Sequence, residues 1–113
     1  MKTIFPSLKE KKRYIAFEIV SEHKFKKNEI IKAVNDEAIK FLGTLNYGKA
    51  GIMMLSVDNN EGIVKVNNKF TNHLKTSLIL INAIDNKRVI FKTKGMSGIL
   101  KKAKNKYLKK EAN

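Results

Sequence analysis

A lysine-rich stretch near the carboxyl end has residue types and a spacing that suit phosphate binding. Residues 92–108 read KTKGMSGILKKAKNKYL, with a predicted turn at Gly95 and a helix that opens at Ser97. The Ser97 hydroxyl can accept a hydrogen bond from an unpaired amide of the first turn, and Gly98 allows close approach because it lacks a Cβ. The candidate phosphate contacts here are Lys94, Ser97, Gly98, Lys101, Lys102 and Lys106.

The same predicted helix has one apolar face. Leu100, Ala103 and Tyr107 recur at helical spacing, whereas most other positions are lysine. Such a helix can pack against the fold and turn its charges and the positive end of its dipole toward an anion. A solvated lysine-rich helix that binds nothing explains the same pattern, so this stretch alone leaves both interpretations open.

A second basic cluster precedes the first predicted strand. Residues 1–12 contain the only proline and are expected to form an extended basic arm. The cluster could make a second phosphate contact, or it could be an ordinary solvated leader. Its candidate contacts are Lys9, Lys11, Lys12 and Arg13.

Composition points to one small domain with an anionic partner. The chain has 113 residues, 42% of them hydrophobic, a net charge of +14 and a pI of about 10.0. That charge exceeds the roughly 2–8 that solubility requires in a small domain. No apolar run approaches the ~18 residues of a spanning helix. No signal peptide is recognisable at the N-terminus. Nucleic acid is therefore the leading partner class, and no membrane contact is expected.

Two residue types define the kind of recognition and the compartment. Arg13 and Arg88 are the only arginines among 24 basic residues. Lysine is a mobile point charge without the fork that reads base edges, so we expect recognition of RNA backbone and shape rather than bases. The chain has no cysteine, which excludes disulfides and thiolate metal sites and is compatible with a cytoplasmic protein.

The elements that must position these clusters follow a β-α-β-β-α-β order. Period-two and period-3.6 patterns, with turn residues between them, predict a ferredoxin-like or RRM-like α+β sandwich. It would have a four-stranded antiparallel sheet, an added basic C-terminal helix and a short tail at 109–113. Asn28 is the predicted N-cap of the first helix, and Gly43 its C-terminal glycine. The predicted strands are 13–21, 47–58, 63–66 and 88–93, and the predicted helices are 29–42 and 70–83.

The chain lacks the residue patterns of an active site. His23 and His73 have no metal-ligand spacing, no nucleophile is paired with a base, and no phosphate-binding glycine motif is present. The polypeptide alone is therefore expected to be neither an enzyme nor a metal or cofactor carrier. The third strand also lacks the aromatic residues on which RRM domains stack bases. We expect that sheet face to be covered, by the flanking segments or by a partner.

Both ends of the chain resemble one family. Residues 8–22 (LKEKKRYIAFEIVSE) and 94–108 (KGMSGILKKAKNKYL) are similar to the ends of archaeal ribonuclease P protein component 2, the counterpart of a small eukaryotic ribonuclease P/MRP subunit. The resemblance spans 8–108. Many members have threonine where this chain has Ile99, which removes a side-chain phosphate contact at that position.

The resemblance implies a non-catalytic subunit of a ribonucleoprotein that removes the 5′ leader of precursor tRNA. The RNA subunit would perform the chemistry with Mg²⁺, and precursor tRNA would be met indirectly. The protein partner would be the TIM-barrel-like subunit, component 3, in a heterotetramer built around paired copies of this chain. Together they would bind and stabilise the catalytic domain of the RNA.

Two alternatives belong to other classes. One is a general basic RNA-binding module, ribosome-associated or specific for double strands, without a role in tRNA processing. The other is an acylphosphatase, because small ferredoxin-like domains include such enzymes. Arg13 and Arg88 are the only strand-adjacent arginines and no matching glycine-rich loop accompanies them, which disfavours the enzyme.

Overall fold

Four antiparallel strands form the sheet at the centre of the fold. The computed structural model describes residues 11–107, with the side chains of 11–106. The sheet order is β2-β3-β1-β6, and two further strands form a separate hairpin. In chain order the elements are β1 (Lys12–Val20), α1 (Lys27–Ala50), β2 (Met53–Asp58), β3 (Glu61–Asn67), α2 (Thr71–Leu80), β4 (Ala83–Ile84), β5 (Lys87–Arg88), β6 (Ile90–Ser97) and α3 (Leu100–Tyr107).

This architecture confirms the predicted α+β fold with an antiparallel sheet and an added C-terminal helix. β1 is central, because it pairs with β3 on one side and β6 on the other. Its alternate residues Ile15, Phe17 and Ile19 are buried in the main core under α1 and α2. Burying one such side chain stabilises the fold by about 1.5–3 kcal/mol. β1 therefore anchors the sheet that carries the basic segments.

The first helix begins close to the predicted position. Its N-cap is Lys26 rather than Asn28, and the Lys26 backbone N–H donates to Glu29 Oε1 over 2.8 Å. This bond satisfies one of the amides left unpaired at a helix start. Ile30 and Val34 are buried on the core side.

Gly43 ends the first helical segment, as predicted, and a second segment follows it directly within α1. Its φ and ψ of 82° and 162° suit glycine and break the helical path. The chain then resumes helix through Tyr47 and ends at Ala50, with Gly51 in the left-handed conformation at φ 60°. The expectation that a strand begins at Tyr47 was wrong, because the Tyr47 hydroxyl donates to Asn35 Oδ1 over 2.9 Å and fixes the second helical segment. β2 begins only at Met53.

Two tight turns match the sequence prediction. Asn59 and Asn60 have φ values of 57° and 59°, and Asp85 and Asn86 have 52° and 67°. Asparagine and aspartate tolerate this region, which two-residue hairpins require at both central positions. The hairpin of β4 and β5 around the second turn was not predicted, and Arg88 ends this hairpin rather than starting the last sheet strand.

The second helix is shorter than predicted at both ends. A 3-10 turn at Asn68–Phe70 precedes α2, and the chain is extended at Ile81. Leu74 and Leu78 are buried in the main core, which confirms the predicted apolar face. No helix within residues 11–107 is long and apolar enough to cross a bilayer.

Candidate nucleic-acid interface

The final helix lies against the sheet face opposite the other two helices. Ala103 is fully buried against Ala16 and Ile63, and Leu100 packs beside them. The chain's own C-terminal helix therefore covers this part of the face on which RRM domains stack bases. The lysines of α3 point away from this contact and are exposed: Lys101, Lys102, Lys104 and Lys106. The predicted division into an apolar and a basic side is thus observed, while the Tyr107 side chain lies outside the described atoms.

The helix opens three residues later than predicted. Gly95 does not form a turn, because it pairs with Ala16 and the strand continues to Ser97. The Ser97 Oγ accepts from the Ile99 N–H over 3.1 Å, and the Ile99 carbonyl accepts from the Ala103 N–H over 3.1 Å. Ser97 therefore stabilises the turn between β6 and α3 and is not the N-cap of the helix.

The structure brings Arg13 and Gly98 together. A Cβ on Gly98 would lie 3.0 Å from Arg13 Nη1 and 3.9 Å from its Cζ. Tyr14 pairs with Ser97, so the register of β1 and β6 places Arg13 beside the turn that follows Ser97. The close approach that Gly98 was predicted to allow is thus made by a guanidinium and not by backbone.

Lys94, another predicted phosphate contact, lies between two carboxylates of its own chain. It is the extra residue of a bulge in β6, because Ala16 pairs with Gly95 while Phe17 pairs with Thr93. Its Nζ is 3.0 Å from Glu61 Oε2 and 4.0 Å from Glu18 Oε1. The structure therefore favours a structural role for the Lys94 charge.

The ion network of Lys94 with Glu18 and Glu61 was not predicted from the sequence, although a signal for it existed. Glu18 and Glu61 are directly opposite each other on β1 and β3. Like charges in that arrangement repel unless a cation lies between them. The short turn at Asn59–Asn60 and the alternation of β1 would have predicted the pairing, but the bulge that places Lys94 there depends on the third strand.

The amino-terminal basic cluster is only partly described. Lys9 lies outside the described residues, and Lys11 is exposed, with its carbonyl accepting from the Asn68 N–H over 2.7 Å. Lys12 already belongs to β1 and not to an arm. Its Nζ would lie 3.4 Å from a Cβ on Gly51, beside the C-terminus of α1. A cation there opposes the negative end of the helix dipole.

The residues described offer no group of three or more histidine, cysteine or acidic side chains that could hold a metal ion. His73 instead lies among aromatic rings, with its centroid 5.3 Å from that of Phe70 and 6.5 Å from that of Phe41. His23 is exposed in the loop after β1.

The clearest electrostatic perturbation lies away from the basic helix. A hydrogen bond with Asp85 lowers the pKa of Glu29, helped by the Lys26 N–H. The same hydrogen bond and the Glu29 charge raise the pKa of Asp85. Both carboxyls line a groove between α1 and the segment after α2, which Asp36 and Glu37 also line. Four acidic side chains therefore lie along one groove of the helical layer, whereas the exposed side chains of α3 are mostly lysines.

A ferredoxin-like sheet with helices on one face and a lysine-rich helix on the other defines a class of small basic α+β proteins. Residues 13–108 match the Rpp14/Pop5 family, and the chain belongs to that family. The match covers the sheet, all three helices and the turn between β6 and α3.

Curated relatives carry one shared name, ribonuclease P protein component 2. The protein from Thermococcus kodakarensis is 39% identical over 105 residues, covering 91% of this chain and 88% of the relative. The protein from Methanosarcina mazei is 34% identical, covering 98% and 96%. The protein from Methanocaldococcus jannaschii is 34% identical, covering 96% and 81%.

A solved structure shares the fold. A chain in the cryo-EM structure of yeast ribonuclease MRP matches with a TM-score of 0.66 and 15% identity. The match covers 86% of this chain and 78% of that one.

Proposed function

We propose that this protein is an RNA-binding subunit of archaeal ribonuclease P, the ribonucleoprotein that removes the 5′ leader of precursor tRNA. The observation that carries the proposal is the surface of α3. This helix packs on the sheet through buried Ala103 and exposes four lysines. Membership of the Rpp14/Pop5 family and the names of the archaeal relatives support ribonuclease P as the particular ribonucleoprotein.

The proposed contribution to cleavage is electrostatic. RNA helices that crowd around a catalytic core repel one another, and lysines on α3 neutralise phosphates where this happens. The RNA subunit supplies the chemistry with Mg²⁺, and this chain lowers the Mg²⁺ concentration at which the catalytic domain folds. Binding that displaces counterions in this way weakens steeply as salt rises. In this proposal, precursor tRNA contacts the RNA subunit and is linked to this chain only through it.

We assign the protein partner, the TIM-barrel-like component 3, to the helical layer. Phe41 and Leu45 flank the Gly43 kink and are 44% and 72% exposed. Exposed apolar side chains that lie together on one surface are typical of protein contacts. This surface belongs to α1, whereas α3 lies on the other face of the sheet. A heterotetramer with paired copies of this chain would leave α3 open to RNA.

A general RNA-binding module is the second candidate. The near absence of arginine favours it, because a lysine surface binds phosphates without reading bases. Such a protein would bind unrelated structured RNA as tightly as ribonuclease P RNA and would not affect tRNA processing.

Reconstitution separates the two candidates. The cognate ribonuclease P RNA, this chain and the TIM-barrel-like partner are combined with precursor tRNA at limiting Mg²⁺. We expect a cleavage rate that falls when this chain alone is omitted and recovers when Mg²⁺ is raised. If omission has no effect while RNA binding is tight, the ribonuclease P assignment fails and the general module remains.

A further inference from the structure

Arg13 and Gly98 form a contact whose chemistry the lysine surface does not explain. We infer that Gly98 positions the Arg13 guanidinium to bind a backbone phosphate of the RNA, and that Gly98 itself makes no RNA contact. The inference rests on the proposed RNA binding and adds a positioning residue and a distinct phosphate ligand to it.

The geometry shows what the glycine provides. The Arg13 Nη1 atom lies 3.0 Å from the position that a Cβ of residue 98 would occupy, a distance that any larger side chain would disturb. Gly98 does not have a positive φ, so backbone conformation does not require glycine here. The space taken by the guanidinium is the structural reason for the missing side chain.

The Arg13 guanidinium has few polar partners among the described residues. Arg13 is half-buried, and its Nη1 makes one long hydrogen bond of 3.4 Å to the Lys12 carbonyl. Among the ion pairs of residues 11–106 none involves Arg13. Partial burial of an unpaired charge is unfavourable, and an incoming anion relieves it. Lys94 differs, because two carboxylates already surround it.

The surroundings select a phosphodiester backbone as the anion. Lys101 and Lys102 follow Gly98 within the first turn of α3 and are exposed. A polyanion that extends from Arg13 at Gly98 to the first turn of α3 can contact several of these cations, whereas a single carboxylate can contact one. Guanidinium binds phosphate through two parallel hydrogen bonds, so Arg13 would set the register of the backbone while the lysines supply mobile charge.

The chain contains a matched control. Arg88 is the only other arginine and lies exposed in the β4–β5 hairpin, where its carbonyl accepts from Ser21 Oγ. Arg13→Lys and Arg88→Lys make the same chemical change and preserve net charge. Any difference between these variants in RNA binding reports the place of the guanidinium and not the loss of an arginine.

The experiment measures binding of ribonuclease P RNA to the full chain across a KCl series. We expect Arg13→Lys to weaken binding about tenfold, because a charge-assisted bidentate bond is lost. The slope of log K against log salt stays the same because the charge remains. We expect Arg88→Lys to bind like the unchanged protein. Thermal unfolding of both variants provides the folding control.

Gly98→Ala tests the positioning step. Its methyl would lie 3.0 Å from Arg13 Nη1 and requires the guanidinium to shift, so we expect weaker binding in the Arg13 background and little further loss in the Arg13→Lys background. Losses that simply add would show that Gly98 acts independently of Arg13 and would overturn the positioning role. If Gly98→Ala does not fold, the pair Arg13→Lys and Arg88→Lys still decides the phosphate contact.

The outcomes separate this inference from the proposed function. If Arg13→Lys binds RNA as tightly as the unchanged chain, the phosphate contact at Arg13 is wrong, although ribonuclease P membership stands. If the unchanged chain neither binds the RNA nor stimulates cleavage, the proposed function fails first. A loss of affinity at Arg13 alone, with unfolding temperature preserved, supports both.

Discussion

Lys94 carries a charge that the chain itself neutralises. Its ammonium lies 3.0 Å from Glu61, and its side chain is 22% exposed. We expect Lys94→Met, which keeps most of the apolar stem, to lower the free energy of unfolding by about 1 kcal/mol. The variant removes the cation that lies within 4.0 Å of both carboxylates. Urea unfolding measures the change.

Lys92 provides the control for that experiment. It lies on the same strand, is exposed and takes part in none of the ion pairs among residues 11–106. Lys92→Met should leave unfolding nearly unchanged. Equal losses in the two variants would show that the ion network contributes nothing specific.

Unlike Lys94, Lys101 and Lys102 are expected to affect RNA binding and not the stability of the fold. We expect Lys101→Ala with Lys102→Ala to reduce the salt slope of RNA binding by about 1 for each lost phosphate contact. Stability should change little because both side chains are exposed. The matched control removes two exposed lysines from α1 that take part in no ion pair among residues 11–106, Lys27 and Lys49. An equal slope change in the control would indicate that only total charge matters.

The carboxyl pair of Glu29 and Asp85 makes stability depend on pH. The lowered pKa of Glu29 adds stability that is present above its ordinary pKa and lost as pH falls through the lowered value. The raised pKa of Asp85 adds stability that is present below its ordinary pKa and lost as pH rises through the raised value.

Asp85→Asn tests this pair. The amide keeps a donor for the Glu29 carboxylate and removes the repelling charge, so the variant should be more stable than the unchanged protein near pH 7. The advantage should shrink toward about pH 3, where Asp85 is itself protonated. Urea midpoints at the two pH values measure it, with exposed Asp58→Asn as the control. A gain that persists at low pH would contradict the electrostatic cause.

Gly43 and Gly48 allow a matched test of the kink in α1. Gly43 has φ 82°, whereas Gly48 lies within the second helical segment and has no positive φ. No atom lies within 4 Å of the position that a Cβ would take at either residue. We expect Gly43→Ala to cost about 1–3 kcal/mol through backbone strain alone. Gly48→Ala should gain about 0.5–1 kcal/mol. Thermal unfolding that moves both variants in one direction would be inconsistent with the kink.

The elements show where sequence reasoning succeeds and where it stops. The alternation of β1 and the asparagine turn at Asn59–Asn60 are local signals, and the structure confirms both. The helical segment after Gly43 was missed because residues 44–50 include Gly48 and few strong helix formers. A tertiary bond from Tyr47 to Asn35 helps hold this segment in place, and a single-segment pattern cannot show it.

The candidate interface was predictable in the same limited way. Residue type and helical spacing predicted the exposed lysines of α3 and the buried Ala103. The roles of Lys94 and Gly98 were not predictable, because both depend on the register of β6 against β1. One extra residue in a bulge decides which charges meet, and the one-dimensional pattern does not record it.

Across the whole molecule, the two sides of the sheet differ in charge: the groove on the helical layer mixes acidic side chains with Lys32 and Lys40, whereas α3 presents lysines. Glu29, Asp36, Glu37 and Asp85 line one groove on the helical layer, although the chain has only ten acidic residues. The exposed lysines of α3 lie on the other face. An approaching polyanion is attracted more strongly to the lysines of α3 than to this groove of mixed charge. The molecule therefore has a preferred orientation before any specific contact forms.

The two hydrophobic clusters differ greatly in size, and this bears on how the molecule opens. The larger one unites the sheet with α1 and α2, whereas among the described side chains α3 is attached through Ala103 and Leu100, which pack with Ala16, Ile63 and Tyr14. Few buried apolar contacts give a low free energy of local opening. In a hydrogen-exchange experiment, the amides of α3 should exchange through local opening of the helix. The amides of β1 should exchange only through global unfolding. We therefore expect α3 to open locally at a lower free energy than global unfolding requires, while the rest of the domain stays folded.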